Sequence, residues 1–259
     1  VVCGYDDSRA LEASEGYIGA LIGRFGNRIA NGEFELNGKT YDLYANNGAN
    51  HLHGGKRGFN GYVWSVQQVA DGLEFSRVSP DGEEGYPGTL KVQVTYTWTD
   101  ENELVLRYEA VSDKDTLCNL TNHTYFNLAG HDKPEQAMDQ LLTMPARFFN
   151  ADDAQSIPTG ELRPVDGSPM DFRVPKAIGR DIDQDYEPLR LLGGYDHNFE
   201  VFSSTGEPLK FSRTKAKELF AYLVYRRGSS CSTRELAAVL FEDTEYSTKQ
   251  MLYLQKIVS

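Results

Sequence analysis

The chain has 259 residues, enough for one large β domain or two smaller ones with cores of their own. Gly 24, Tyr 15 and Phe 13 against Met 4 describe a turn-rich, aromatic protein rather than a helical bundle. A formal net charge of −12 argues against a chain-wide nucleic-acid surface and for neutral or cationic ligands.

In chain order, the first apolar run is Tyr17-Ile18-Gly19-Ala20-Leu21-Ile22-Gly23, which leads into Arg24-Phe25-Gly26-Asn27-Arg28-Ile29-Ala30. A hairpin follows. Gly32 to Leu36 alternates polar and apolar residues, Asn37-Gly38 suits a type I′ turn, and Lys39 to Leu43 returns. Val63 to Val69 turns at Asp71-Gly72 into Leu73 to Val78. After a Gly/Pro-rich loop, Leu90, Val92, Val94, Tyr96 and Trp98 alternate strictly with polar residues, and Leu104, Leu106 and Tyr108 repeat the pattern. Period-2 alternation over so many segments predicts antiparallel sheets with one wet face, hence a mainly β sandwich. Residues 131–200 hold most of the prolines, in loops of the kind that carry binding residues on a β scaffold.

Near residue 205 the pattern changes. Ser203 to Pro208 reads as a linker between a β domain over 1–204 and a three-helix segment over 205–259. In that segment Ala216, Leu219, Phe220, Leu223 and Val224 fall at helical spacing, Ser232-Thr233-Arg234-Glu235 is a capping box, and Ser247 to Gln250 opens a third helix. It carries nine Lys/Arg against six Asp/Glu, while the remainder carries 17 against 32.

Cys3, Cys118 and Cys231 are odd in number and far apart, a pattern of reduced thiols that points to the cytoplasm. No apolar run approaches the roughly 20 residues of a membrane span, so no membrane partner is expected.

Polar groups without a strand pattern gather in four places. The densest is Asn119 to Gly130, where asparagines, two threonines and a tyrosine surround His123. An imidazole changes protonation near neutral pH, so His123 is a candidate proton-transfer group. Asn27-Arg28 offers a guanidinium that could fork onto ligand oxygens. His51-Leu52-His53-Gly54-Gly55 puts two histidines on one side of an extended segment, with glycines that suit a close backbone approach to a ligand. That spacing could ligate a metal, completed by His123 or His197. Against this, these motifs hold no cysteine and no carboxylate besides Asp196. Gly193 to Phe199 sets Asp196 and His197 in a glycine-initiated strand. Such a set suits a neutral polyhydroxylated ligand, whose hydroxyls each need a donor and an acceptor.

Taken in order, Asn27 to Gly32 and the hairpin after it, Leu52 to Gly55, Asn119 to Gly130, and Tyr195 to Phe199 resemble the aldose 1-epimerases over residues 1 to about 201. The resemblance implies a galactose mutarotase-like supersandwich that interconverts α and β anomers of a free aldose without metal or organic cofactor. By motif match, His123 would be the general acid at the ring oxygen and His53 its hydrogen-bonding partner there. Arg28 and Asp196 would anchor sugar hydroxyls, with Asn27 assisting. The same resemblance puts the family's first strands before Val1. It puts the general base on a glutamate beyond the Asp196-His197-Asn198 motif, where the tail stands instead. The tail resembles the first helices of a winged-helix DNA-binding domain, so any nucleic-acid contact is confined to it. The alternative to an epimerase is a non-catalytic sugar-binding module, or an inactive chimera fused to part of a regulator.

Overall fold

The computed structural model describes residues 2–14 and 16–201. They are mainly β, with two short α-helices, and fall into two units. One is Gly19–His123; the other comprises residues 2–14, 16–18 and 124–201. The expected linker and three-helix segment over 205–259 lie outside the described residues.

Gly19–His123 contains β1 (Ala20–Ile22), β2 (Arg28–Ile29), β3 (Glu33–Leu36), β4 (Lys39–Asp42), β5 (His51–Leu52), β6 (Ser65–Val69), β7 (Gly72–Ser79), β8 (Leu90–Trp98), β9 (Leu104–Ser112) and β10 (Thr121–His123). β6 to β9 form one antiparallel sheet in sequence order, as the alternating segments predict. Leu90, Val92 and Val94 each lie on its buried face and pack with Phe59, Leu21, Trp64 and Leu120. The alternation outlasts the burial, since Trp98 at the end of β8 is 64% exposed. The Asn37-Gly38 hairpin forms as read, with β3 on β4 and both turn residues at positive φ, 55° and 74°.

A second cluster, Ile29, Leu43 and Tyr86, packs with Phe25, Phe34 and Leu117. Beside it runs a buried polar network. Arg24, 1% exposed, donates through Nε to Ser79 Oγ (2.8 Å) and through its two amino groups to the carbonyls of Pro87, Ser79, Pro80 and Gly88 at 2.8–3.0 Å. Burial lowers its pKa, opposed most by the Glu83 carboxylate. A guanidinium is tolerated inside a protein when its donors are spent in this way.

The second unit contains α1 (Ser8–Glu12), β11 (Leu141–Leu142), β12 (Ala146–Asp152), β13 (Pro158–Pro164), β14 (Lys176–Ala177), α2 (Glu187–Leu192) and β15 (Phe199–Val201). β12 lies between β13 and β15, both antiparallel to it. Its core joins Phe149, Val165, Met170, Phe172, Leu189 and Phe199. One expectation is corrected here. The segment read as a glycine-initiated strand at 193–199 is the end of α2, capped by Gly193 at φ 71°, followed by an irregular stretch, and the strand begins only at Phe199. α2 is too short, at 6 residues, to show a helical period in the sequence.

Candidate active site

β10 pairs antiparallel with β1, so Ala20 stands opposite His123 and Leu21 opposite Asn122. Successive side chains of a strand point to opposite faces. Asn122 therefore turns with Leu21 toward the sheet interior, where its amide donates to Tyr96 Oη (2.7 Å). His123 faces the other way. Asn119 is likewise structural: its backbone N–H donates to Arg24 O (2.8 Å), its O accepts from Gly26 N (2.7 Å), and its amide donates to Gly26 O (3.3 Å). Both asparagines thus have a structural task beside any they have near the imidazole. Both hold the strand and loop that carry it.

The partner histidine arrives on the loop after β5, whose register with β2 sets Arg28 opposite Leu52. At His53 the backbone leaves the strand, with φ 51°. Two bonds then lock it to Asn27: His53 N donates to Asn27 O (3.1 Å), and Asn27 N donates to His53 Nδ1 (3.0 Å). A neutral imidazole that accepts at Nδ1 carries its proton at Nε2. Burial first, then His123 and Arg28, lower the His53 pKa to about 3. His53 is thus a neutral Nε2–H donor at physiological pH. Its ring stands edge-on to that of His123, with centroids 5.2 Å apart and planes at 89°.

This turn separates the two histidines that were expected on one side of an extended segment. His51 is fully buried: its Nδ1–H donates to Tyr44 O (2.8 Å), and Tyr86 Oη–H donates to its Nε2 (2.7 Å). With both nitrogens engaged, His51 has no lone pair for a metal, so the His51/His53 ligand pair is excluded on geometry. Among the described residues no group of three His, Cys, Asp or Glu side chains is placed to hold a metal ion. The glycines after His53 serve the protein itself. A Cβ on Gly54 would sit 1.7 Å from Gly23 O, and one on Gly55 2.2 Å from a Glu84 carboxylate oxygen. The close approach is to other loops of the unit.

Arg28 is half-buried, donating through Nε to Asn47 Oδ1 (2.9 Å) and through one amino group to Asn27 Oδ1 (3.3 Å). Its charge is close enough to His53 to help keep that imidazole neutral. Asn27, Arg28, His53 and His123 therefore belong to one unit and one neighbourhood. Asp196 belongs to the second unit, where it is exposed and, after burial, is the main cause of the raised pKa of Tyr125. Arg24 and Asn47 escape a reading of the sequence. Arg24 follows an apolar strand directly, the one hint that it is buried; Asn47 lies in a run of asparagines that reads as a turn.

Chemically, the site offers a neutral imidazole donor beside a second imidazole and an oriented guanidinium, which is equipment for binding oxygens and moving a proton. A sequence model described as aldose 1-epimerase matches residues 1–218. The galactose mutarotase of Sus scrofa is 48% identical over 199 residues, which are 77% of this chain and 56% of that protein. The aldose 1-epimerase of Haemophilus influenzae is 40% identical over 195 residues, 75% of this chain and 56% of that protein. A crystal structure of galactose 1-epimerase from Lactobacillus acidophilus superposes with a TM-score of 0.71 at 31% identity, covering 77% of this chain and 60% of that one. The chain thus spans about half the length of the curated relatives it matches. No helix among the described residues is long and apolar enough to cross a membrane. By its sequence and its fold, the chain belongs to the aldose 1-epimerase family.

Proposed function

We propose that this chain acts on a free aldose such as galactose or glucose, interconverting its α and β anomers at the Arg28–His53–His123 site of an antiparallel supersandwich. His123 is the general acid. It passes a proton to the ring oxygen as the C1–O5 bond breaks, while the proton of the C1 hydroxyl goes to a base and a C1 carbonyl forms. Rotation about C1–C2 and closure by the reverse transfers give either anomer. His53, neutral with its proton at Nε2, donates a hydrogen bond to the same oxygen but does not itself ionise. Arg28 and Asn27 hold hydroxyls, and Asp196 anchors others as an acceptor. These residues supply the acid half of the exchange; the family resemblance assigns the base to a glutamate following the Asp196-His197-Asn198 motif.

One observation carries this reading. The two rings stand edge-on at 5.2 Å and Nδ1 of His53 accepts from Asn27, which supports reading His53 as a fixed donor and His123 as the proton-transferring acid. General acid catalysis of this kind contributes roughly 10²–10⁴-fold. Polarimetry of freshly dissolved α-D-galactose is the test. The chain should speed mutarotation above buffer, and His123→Ala should remove most of that gain. A wild-type rate equal to buffer, with sugar binding still seen by NMR titration, would leave a sugar-binding module in place of an enzyme.

A further inference from the structure

The segment Asn46-Asn47-Gly48-Ala49-Asn50 sets three primary amides within five residues, and each amide is spent differently. Asn46 acts as a strand partner: its Nδ2 donates to Leu52 O (2.9 Å) and Gly55 O (3.0 Å), and its Oδ1 accepts from Leu52 N (2.7 Å). Asn50 Oδ1 accepts from Asn31 N (3.0 Å). Asn47 meets a charged side chain. Its backbone is pinned by reciprocal bonds with Asn50, N to O and O to N at 3.0 Å each, and its Oδ1 takes the Nε–H of Arg28 at 2.9 Å.

A guanidinium is planar, so acceptors at two of its donors fix the plane and the direction of every other N–H. Asn47 holds Nε and Asn27 holds one amino group. Both acceptors stand on anchored backbone, Asn47 by its bonds with Asn50 and Asn27 by its two bonds with His53. Arg28 therefore meets a ligand with its orientation already set, and the ordering cost is not incurred on binding.

We propose that Asn47 is a positioning residue that aims the Arg28 guanidinium at sugar hydroxyls, so that it governs affinity for the aldose and not the proton transfer. The proposal rests on the aldose reading given above, and the experiment separates the two. The first readout needs no sugar: the Arg28 Nε–H cross-peak in a ¹⁵N–¹H spectrum at neutral pH, assigned by its loss in Arg28→Lys. A bonded, partly shielded Nε–H exchanges slowly enough to be seen. It should vanish in Asn47→Ala and persist in Asn47→Asp, which keeps an oxygen at the same place. The second readout is galactose affinity by NMR titration. Asn47→Ala should weaken binding about tenfold, Asn47→Asp should restore most of it, and Asn47→Ala should add nothing to Arg28→Ala.

Persistence of the Nε–H signal in Asn47→Ala overturns the proposal. So does unchanged affinity in that variant, or a double variant whose losses add. A wild-type chain that shows the signal, loses it on Asn47→Ala, yet binds no aldose would uphold the Asn47–Arg28 pairing and overturn the aldose reading instead.

Discussion

Each unit buries one histidine against an aromatic ring, and the two fare differently. His51, in Gly19–His123, lies edge-on to Tyr86 with both ring nitrogens hydrogen-bonded. His197, in the second unit, lies edge-on to Phe149, is 7% exposed, and has no hydrogen-bond partner at either nitrogen among the described residues. Burial lowers both pKa values, to about 4 for His197. The first histidine is a fastener, joining the 44 and 86 loops. The second is a desolvated imidazole whose nitrogens gain no hydrogen bond among the described residues, with only the Asp196 charge to oppose its burial. In Gly19–His123, Arg24, Asn46 and Asn119 are, like His51, hydrogen-bonded, each to backbone or side-chain groups of the same unit.

The comparison is broken first by removing the fastener. His51→Leu leaves the buried Tyr86 hydroxyl unpaired and removes the bond to the Tyr44 carbonyl, and should cost about 2–4 kcal/mol in urea unfolding. A cost below about 1 kcal/mol would mean that the His51 bonds contribute little and that the contrast between the units is empty.

His197 gives a smaller effect with a pH signature. Its folded pKa of about 4 lies below the ordinary histidine value of about 6.5, so below pH 6.5 the unfolded chain binds a proton that the folded chain refuses. Stability is lost as pH falls from about 6.5 toward 4, with roughly 2 kcal/mol of that loss between pH 7 and pH 5. His197→Phe cannot titrate. Its unfolding free energy should therefore gain on the wild type by about that amount over the same interval. Parallel pH profiles for the two proteins would show that His197 is solvated or paired.

Much of this was legible in the sequence, for physical reasons. The Asn37-Gly38 hairpin is written in local turn chemistry, and the Leu90–Val94 alternation in burial, both of which act over a few residues. Asn27, Arg28, His53 and His123 could be named because their motifs stand in a recognisable order. What could not be read depends on a single backbone angle or on a distant partner. The positive φ at His53 sends its ring away from that of His51, and no residue type nearby announces it. Arg24 draws its acceptors from residues more than fifty positions away, so the apolar strand before it hints at burial but nothing nearby names its partners. The structural tasks of Asn119 and Asn122 depend on strand register and distant partners, which a sequence does not state.

The central claim is a division of labour between two facing imidazoles, a neutral donor and a proton-transferring acid. Ring-nitrogen NMR of His53 between pH 5 and pH 8 tests it most directly. The account predicts no titration over that range, with Nδ1 unprotonated and accepting from Asn27 and the proton at Nε2. A His53 that titrates near pH 6.5, or that carries its proton at Nδ1, would contradict it.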